Sequence, residues 1–317
     1  MNNKILISIL LSLAVIVAAV WIYDSRKGER SFRSELVEID PGNVTAISIY
    51  PSGASAQEIR LEKVGDTWNV VQGEKTYPAD TAYISRIIHS FMEAKPERVA
   101  GMDKNSWGEF MVTDTSGTRV VIEEDGDVAA DLRVGRVSFS QSQQNQMYGR
   151  NQNPDIKSHV RVAGDDKVYL VNGFLSLLFQ NHPSAYRNKV ICRFDENQPV
   201  RFTFTYPGDS SFVLAKTSTG WMVDELPADS LEVISFLRSV AKSSGNDFAP
   251  DEVIHGLSFT DRVKIEGDNT EVIDIEGIKA DTSNLFYVRS SANPEAVFKF
   301  TNPTLYHRIF TSKGKFH

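Results

Sequence analysis

The chain has 317 residues, enough for roughly two average domains, and its 41% hydrophobic and 24% charged residues can build packed cores, which excludes a wholly disordered chain. A net charge of −7 disfavours nucleic acid as a main partner, because phosphate binding needs a concentrated positive surface. The single cysteine, Cys192, excludes an intrachain disulfide, and its setting in Val190-Ile191-Cys192 reads as a buried small hydrophobe.

No charge occurs from Ile5 to Tyr23. At the helical rise this run spans roughly 28 Å, close to the hydrocarbon thickness of a bilayer. Trp21 and Tyr23 stand at its exit end, where amphipathic rings favour the headgroup layer. The run is longer than the apolar part of a cleaved signal peptide, its exit end is bulky, and no lipoprotein cysteine follows. The expected layout is a tail at 1–4, a transmembrane anchor at 5–23 and a juxtamembrane linker at 24–43. Orientation is open from charge alone. Lys4 precedes the run, whereas Arg26, Lys27, Arg30 and Arg33 follow it, diluted by Asp24 and Glu29. A positive-inside count puts the body in the cytoplasm, against the usual signal-anchor layout with an exported body.

The remainder reads as a duplication with a period near 150 residues, a first module at 44–190 and a second at 191–317. Val44-Thr45-Ala46-Ile47-Ser48-Ile49-Tyr50-Pro51 answers to Val200-Arg201-Phe202-Thr203-Phe204-Thr205-Tyr206-Pro207, both alternating with period two. The Tyr-Pro pairs match directly, although the apolar positions fit better with a one-residue slip. Hairpins around Trp68 and Trp221 come next, the tryptophans read as packing residues. Pro78-Ala79-Asp80 then matches Pro227-Ala228-Asp229, and the two aspartates read as helix N-caps. Behind them Ile84, Ile87, Ile88 and Phe91, and likewise Val233, Phe236, Leu237 and Val240, make one apolar stripe per helix. Later strands repeat as Arg119-Val120-Val121-Ile122-Glu123 with Arg262-Val263-Lys264-Ile265-Glu266, as His159-Val160-Arg161 with Tyr287-Val288-Arg289, and as Val168-Tyr169-Leu170-Val171 with Val297-Phe298-Lys299-Phe300. Each module therefore reads β-β-β-α-β-β-β-β-α, a mostly antiparallel sheet with one main packed helix, so the fold class is α+β.

The first module alone carries a Gln- and Asn-rich stretch from Arg136 to Lys157. A loop this long is often functional, and Met147, Tyr148 and Arg150 are its candidate partner-contact side chains.

A search for chemistry finds little. The six histidines show no two-ligand zinc spacing; no Walker loop, dinucleotide Gly-rich turn or Gly-x-Ser-x-Gly elbow is present. Glu123-Glu124-Asp125-Gly126-Asp127 lacks the ligand spacing of a calcium loop and reads as a charged hairpin turn. No catalytic, cofactor-binding or metal residue is assigned, and the expectation is a protein that is not an enzyme.

The order of an apolar N-terminal run, then Phe32-Arg33-Ser34-Glu35-Leu36-Val37-Glu38-Ile39-Asp40 leading into Val44, Trp68 in a hairpin, Tyr77-Pro78-Ala79-Asp80 before a helix, and a Val168-Tyr169-Leu170-Val171 strand resembles the bacterial family catalogued as domain of unknown function 4340. The likeness covers most of the chain through short motifs whose order is the specific feature. It implies a single-pass protein of the inner membrane with its body in the periplasm, working beside gliding-type ABC transporter permeases. The expected function is a membrane-anchored, extracytoplasmic interaction or scaffold protein, accessory to an ABC-type transporter. Two alternatives remain: an envelope ligand-binding module using a cleft between the repeats, and an uncharacterised hydrolase.

Overall fold

Val44 and the run Ala46–Ile49 are buried, with Ile47 and Ile49 in a core, and the strand is paired along both edges. The computed structural model describes residues 35–53, 57–140, 155–268, 270–280 and 284–317, and among these the chain forms two compact units, one ending at Tyr186 and one running from Arg187 to His317.

The first unit contains β1 (Val44–Tyr50), β2 (Ile59–Val64), β3 (Thr67–Gln72), β4 (Lys75–Pro78), α1 (Thr81–Glu93), β5 (Pro96–Gly101), β6 (Thr118–Glu124), β7 (Asp127–Ser140), β8 (Asp155–Val162) and β9 (Val168–Asn172). Its strands form one nine-stranded sheet in the order β4-β3-β2-β1-β6-β7-β8-β9-β5. The second unit contains β10 (Val190–Arg193), β11 (Pro199–Thr205), β12 (Phe212–Thr217), β13 (Gly220–Val223), β14 (Leu226–Pro227), α2 (Ser230–Val240), β15 (Lys242–Ser244), β16 (Asp247–Phe248), α3 (Asp251–Ile254), β17 (Asp261–Gly267), β18 (Ile273–Lys279), β19 (Phe286–Ser290), β20 (Asn293–Phe300) and α4 (Thr304–Ile309). Its main sheet runs β14-β13-β12-β11-β17-β18-β19-β20-β16, while β10 pairs with β15 apart from it. Position by position this is the order of the first sheet. Every strand pairing is antiparallel, so the fold is a β-rich α+β arrangement built on two large sheets.

The register decides how the copies align. Ile47 pairs with Leu61 and Ile122, and Phe202 with Leu214 and Ile265; Ile49 and Phe204 follow the same rule. Tyr50 therefore corresponds to Thr205, and the Tyr-Pro match is offset by one residue, as the apolar pattern required. Both first strands bulge at the same place, between Val44 and Ala46 and between Pro199 and Arg201.

Each helix lies on its sheet through the expected stripe: Ile84, Ile87, Ile88 and Phe91 are buried on α1, and Val233, Phe236, Leu237 and Val240 on α2. The Tyr83 N–H donates to the Asp80 carboxylate, and the Leu231 and Glu232 N–H groups donate to that of Asp229. Each cap is also pinned by the end of its own unit: Asp80 N–H donates to the Tyr186 carbonyl at 2.8 Å, and Asp229 N–H to the Phe316 carbonyl at 2.9 Å. Tyr186 and Phe316 close 3-10 turns and are fully buried.

Two strands in each nine-stranded sheet exceed the sequence expectation, and β10 and β15 are a further pair in the second unit. β4 and β14 are short returns after the tryptophan hairpins, and β5 and β16 leave the helix for the far edge, pairing with β9 and β20. Pro96-Glu97-Arg98-Val99 shows no alternation, so only its long-range partner makes it a strand. Packing in the first unit starts upstream of Val44: Leu36 and Ile39 are buried in its core. The expected anchor, Ile5 to Tyr23, lies outside the described residues; among those, no helix is long and apolar enough to cross a membrane.

Candidate functional site

Period two divides each strand between two faces. On β7 and β8, Leu132, Val134 and Val160 point into the core beneath α1, so Arg133, His159 and Arg161 point out of the opposite face. There they meet the segment 102–117, which crosses the sheet between β5 and β6. Arg161 Nε donates to the Val112 carbonyl at 2.9 Å, and a terminal nitrogen donates to Asp114 Oδ1 at 2.8 Å. Its guanidinium carbon sits 3.7 Å from the Trp107 ring centroid. Arg133 reaches the same Asp114 oxygen at 2.9 Å. The hydrogen bond from Arg161, with Arg133 nearby, holds the Asp114 carboxyl below the usual carboxylate range. His159 stacks on Phe110 with centroids 4.5 Å apart, and its Nδ1 lies 2.8 Å from the Arg136 carbonyl. Burial lowers the His159 pKa, so the ring is neutral at pH 7 and Nδ1–H donates to that carbonyl. Gly135 permits the crossing: a Cβ there would overlap Val112 and the Phe110 and Met111 carbonyls.

The second unit has a looser counterpart. Residues 249–260 cover a small apolar cluster around Tyr287 and Val297, and Arg289 lies 4.4 Å from the Phe259 centroid. Tyr287 and Arg289 occupy the positions of His159 and Arg161, so the histidine sits where its counterpart is a packing residue. Nothing short-range in the sequence marks these straps, because the two segments share no motif.

A repeated ion pair lies on the same faces. Arg119 grips both oxygens of Asp131, and Arg262 those of Asp274, each across neighbouring strands. These pairs clamp the strands and leave neither carboxylate free for chemistry.

The candidate contact residues Met147, Tyr148 and Arg150 lie outside the described residues. The strands that lead to them are informative. β7 is 14 residues long where its counterpart β18 has 7. The β7–β8 ladder continues past Val137↔Ser158 to Phe139↔Ile156, after a bulge of one extra residue on β7 between Val134 and Val137. At its base Phe139 is 65% exposed and meets Phe174 edge-on at 6.3 Å, and Leu177 in the adjoining 3-10 turn is 60% exposed.

Other singled-out residues fall into structural roles. Trp68 is buried in the core and Trp221 packs on Phe202. Asp125 and Gly126 form the two-residue β6–β7 turn, both at positive φ, as a charged hairpin end requires. Burial pushes the Cys192 thiol up to about 11, and its Sγ points at the Val240 carbonyl 2.9 Å away. Among the described residues no three His, Cys, Asp or Glu side chains are grouped to hold a metal ion.

Fold and surface together define a class: a duplicated, β-rich α+β protein whose copies share a strand order and differ at the sheet ends. A family model described as Domain of unknown function (DUF4340) matches residues 68–258, more than half of the chain, and the chain belongs to that family. The match spans both units, from Trp68 in β3 to the strap of the second sheet. No curated protein and no solved structure matches the chain.

Proposed function

We propose that this protein is a membrane-anchored interaction module, with Ile5 to Tyr23 in the inner membrane and the two units in the periplasm, where it serves an ABC-type transporter complex without catalysing a reaction. The observation that carries the reading is the asymmetry between copies. Two sheets of one strand order diverge where β7 and β8 lengthen, and that extension brings exposed Phe139 and Leu177 to its base. Large apolar side chains left in water beside the lengthened β7–β8 pair suit a protein contact, in which a few anchors carry most of the affinity. The uncharged N-terminal run supports the anchor, and family membership is consistent with the envelope setting.

The test is capture from membranes after mild crosslinking of the full chain, comparing wild type with Phe139→Ser/Leu177→Ser. Wild type is expected to retain permease subunits and the double variant to lose them. Absence of any transporter component from the wild-type capture, or equal recovery with both proteins, overturns the proposal. A reporter fused after His317 reads the side of the membrane; cytoplasmic activity rejects the periplasmic placement.

A further inference from the structure

The two copies also part at the opposite end of the β6–β7 hairpin. In the first unit the ladder zips to its turn, through Glu123↔Val128 and Glu124↔Asp127. Glu124 folds back, and its Oε1 accepts the Asp40 N–H at 2.6 Å. In the second unit the same number of residues separates Arg262 from Asp274 as Arg119 from Asp131. There the ladder stops at Ile265↔Ile273. The counterpart of Glu124 is Gly267, as the pairings Val44↔Glu124 and Pro199↔Gly267 show. The Asp195 N–H, equivalent to that of Asp40, donates instead to Gln198 Oε1 at 2.9 Å. The side chain that takes this hydrogen bond in the first copy is missing at Gly267, and Gln198 makes the equivalent bond.

A cavity of about 570 Å³ opens there, within the size range of small-molecule sites. Phe194, Pro199 and Ile265 give it a buried apolar floor. Two charged side chains from separate segments line it, Arg193 from β10 and Glu271 from the opened loop. Both are exposed, and neither has an ion-pair or hydrogen-bond partner for its side chain among the described residues. This differs from the sheet faces, where Arg119, Arg133, Arg161, Arg262 and Arg289 are all paired with carboxylates.

We propose that this cavity binds a small zwitterion with an apolar substituent, a short apolar peptide with free termini. Its carboxylate pairs with Arg193, its ammonium with Glu271, and a side chain covers Phe194 and Ile265. An anion alone would leave Glu271 on the rim as a repelling charge, and a cation alone would meet Arg193. A ligand carrying both signs satisfies the two. The inference goes beyond the partner-binding reading and does not depend on it, since it concerns the other unit.

The probe is dileucine, titrated by calorimetry into the full-length protein purified in detergent, beside N-acetyl-dileucine and dileucine amide. Two solvent-exposed ion pairs and one apolar contact predict a weak site, with Kd of about 0.1–1 mM. Blocking the amine is expected to weaken binding about three- to tenfold in wild type and no further in Glu271→Gln. Blocking the carboxylate is expected to do the same in wild type and nothing more in Arg193→Gln. Both substituted side chains are exposed and neither has a hydrogen-bond or ion-pair partner among the described residues, so the substitutions are expected to leave the fold intact, as a matching thermal transition checks. No saturation by dileucine below about 10 mM, or losses on blocking that are unchanged in the two variants, overturns the proposal. Gly267→Glu, which copies the closed first unit, is expected to abolish binding. A Cβ at Gly267 lies 2.6 Å from Thr270 Oγ1 and 2.7 Å from the Gln198 carbonyl, so that arm is read only alongside a matching thermal transition.

Discussion

Replacing Arg161 by alanine isolates what the strap over the first sheet contributes. The Arg161 side chain is 8% exposed, and its equivalent Arg289 is 50% exposed. Arg161→Ala removes a charged donor from the Val112 carbonyl, worth about 1.5–3 kcal/mol, and a guanidinium from the face of Trp107, worth about 0.5–2 kcal/mol when desolvated. The contact with Asp114 adds little, because that carboxylate is 73% exposed. The expected loss is about 3–4 kcal/mol. Arg289→Ala removes a half-exposed ion pair to Glu276 and a longer stacking contact with Phe259, and about 0.5–1 kcal/mol is expected after solvent screening. Because the chain has two units, amide hydrogen exchange resolved by peptide is the appropriate assay: β6 and β8 report the first unit, β17 and β19 the second. Arg161→Ala should lower the protection of β6 and β8 by the stated amount and leave β17 and β19 unchanged. Equal costs for the two substitutions, or a loss below about 1 kcal/mol for Arg161→Ala, would refute the claim that burial of the guanidinium makes the strap a structural element.

His159 makes the first unit sensitive to acid. Its folded pKa lies below the ordinary 6.5, so as pH falls the unfolded chain takes up the proton first. Its contribution is complete above 6.5 and is lost as pH drops from there through the folded pKa; His159→Tyr, which copies Tyr287, should abolish this component of the shift in urea midpoint between about pH 7.5 and about pH 5.5. Asp80→Ala and Asp229→Ala should each cost about 1 kcal/mol by removing the helix caps, read from exchange in α1 and α2. Gly277→Ala should cost about 1–3 kcal/mol in the second unit, since the added Cβ would press into the rings of Phe310 and Tyr306; an unchanged denaturation midpoint would contradict the close packing of α4 on β18.

What could be read from the sequence was local. The alternation of Ile47 and Ile49, the stripe of α1 and the Asp80 and Asp229 caps depend on neighbours within a few residues, and each stands where the pattern put it. The strands β5 and β16 could not be read in this way. Their identity comes from β9 and β20, with which they pair far along the chain, and their own residues carry no alternation. The straps were equally silent, since contacts such as Trp107 with Arg161 join segments with no shared motif. The opened hairpin was closer to legible. Once Arg119-Val120-Val121-Ile122-Glu123 is set against Arg262-Val263-Lys264-Ile265-Glu266, the next pair is Glu124 and Gly267, a charged side chain opposite none.

An internal duplication serves as its own control. Shared features, such as the strand order, the capped helix pinned by Tyr186 or Phe316, and the Arg–Asp clamp on each sheet face, meet demands that both copies face, and folding is the demand they have in common. Features present in one copy lack that explanation. The long β7–β8 arm with exposed Phe139 belongs to the first unit alone, and the unzipped hairpin beside Gly267 to the second. Neither improves burial: one leaves a large aromatic ring in water, and the other leaves a cavity above Phe194 beside a glycine, where its sister has a glutamate that accepts the Asp40 N–H. Departures that worsen packing, where the sister copy lacks them, are what the two proposed contacts would account for. Their separation onto different units makes the two contacts independently removable.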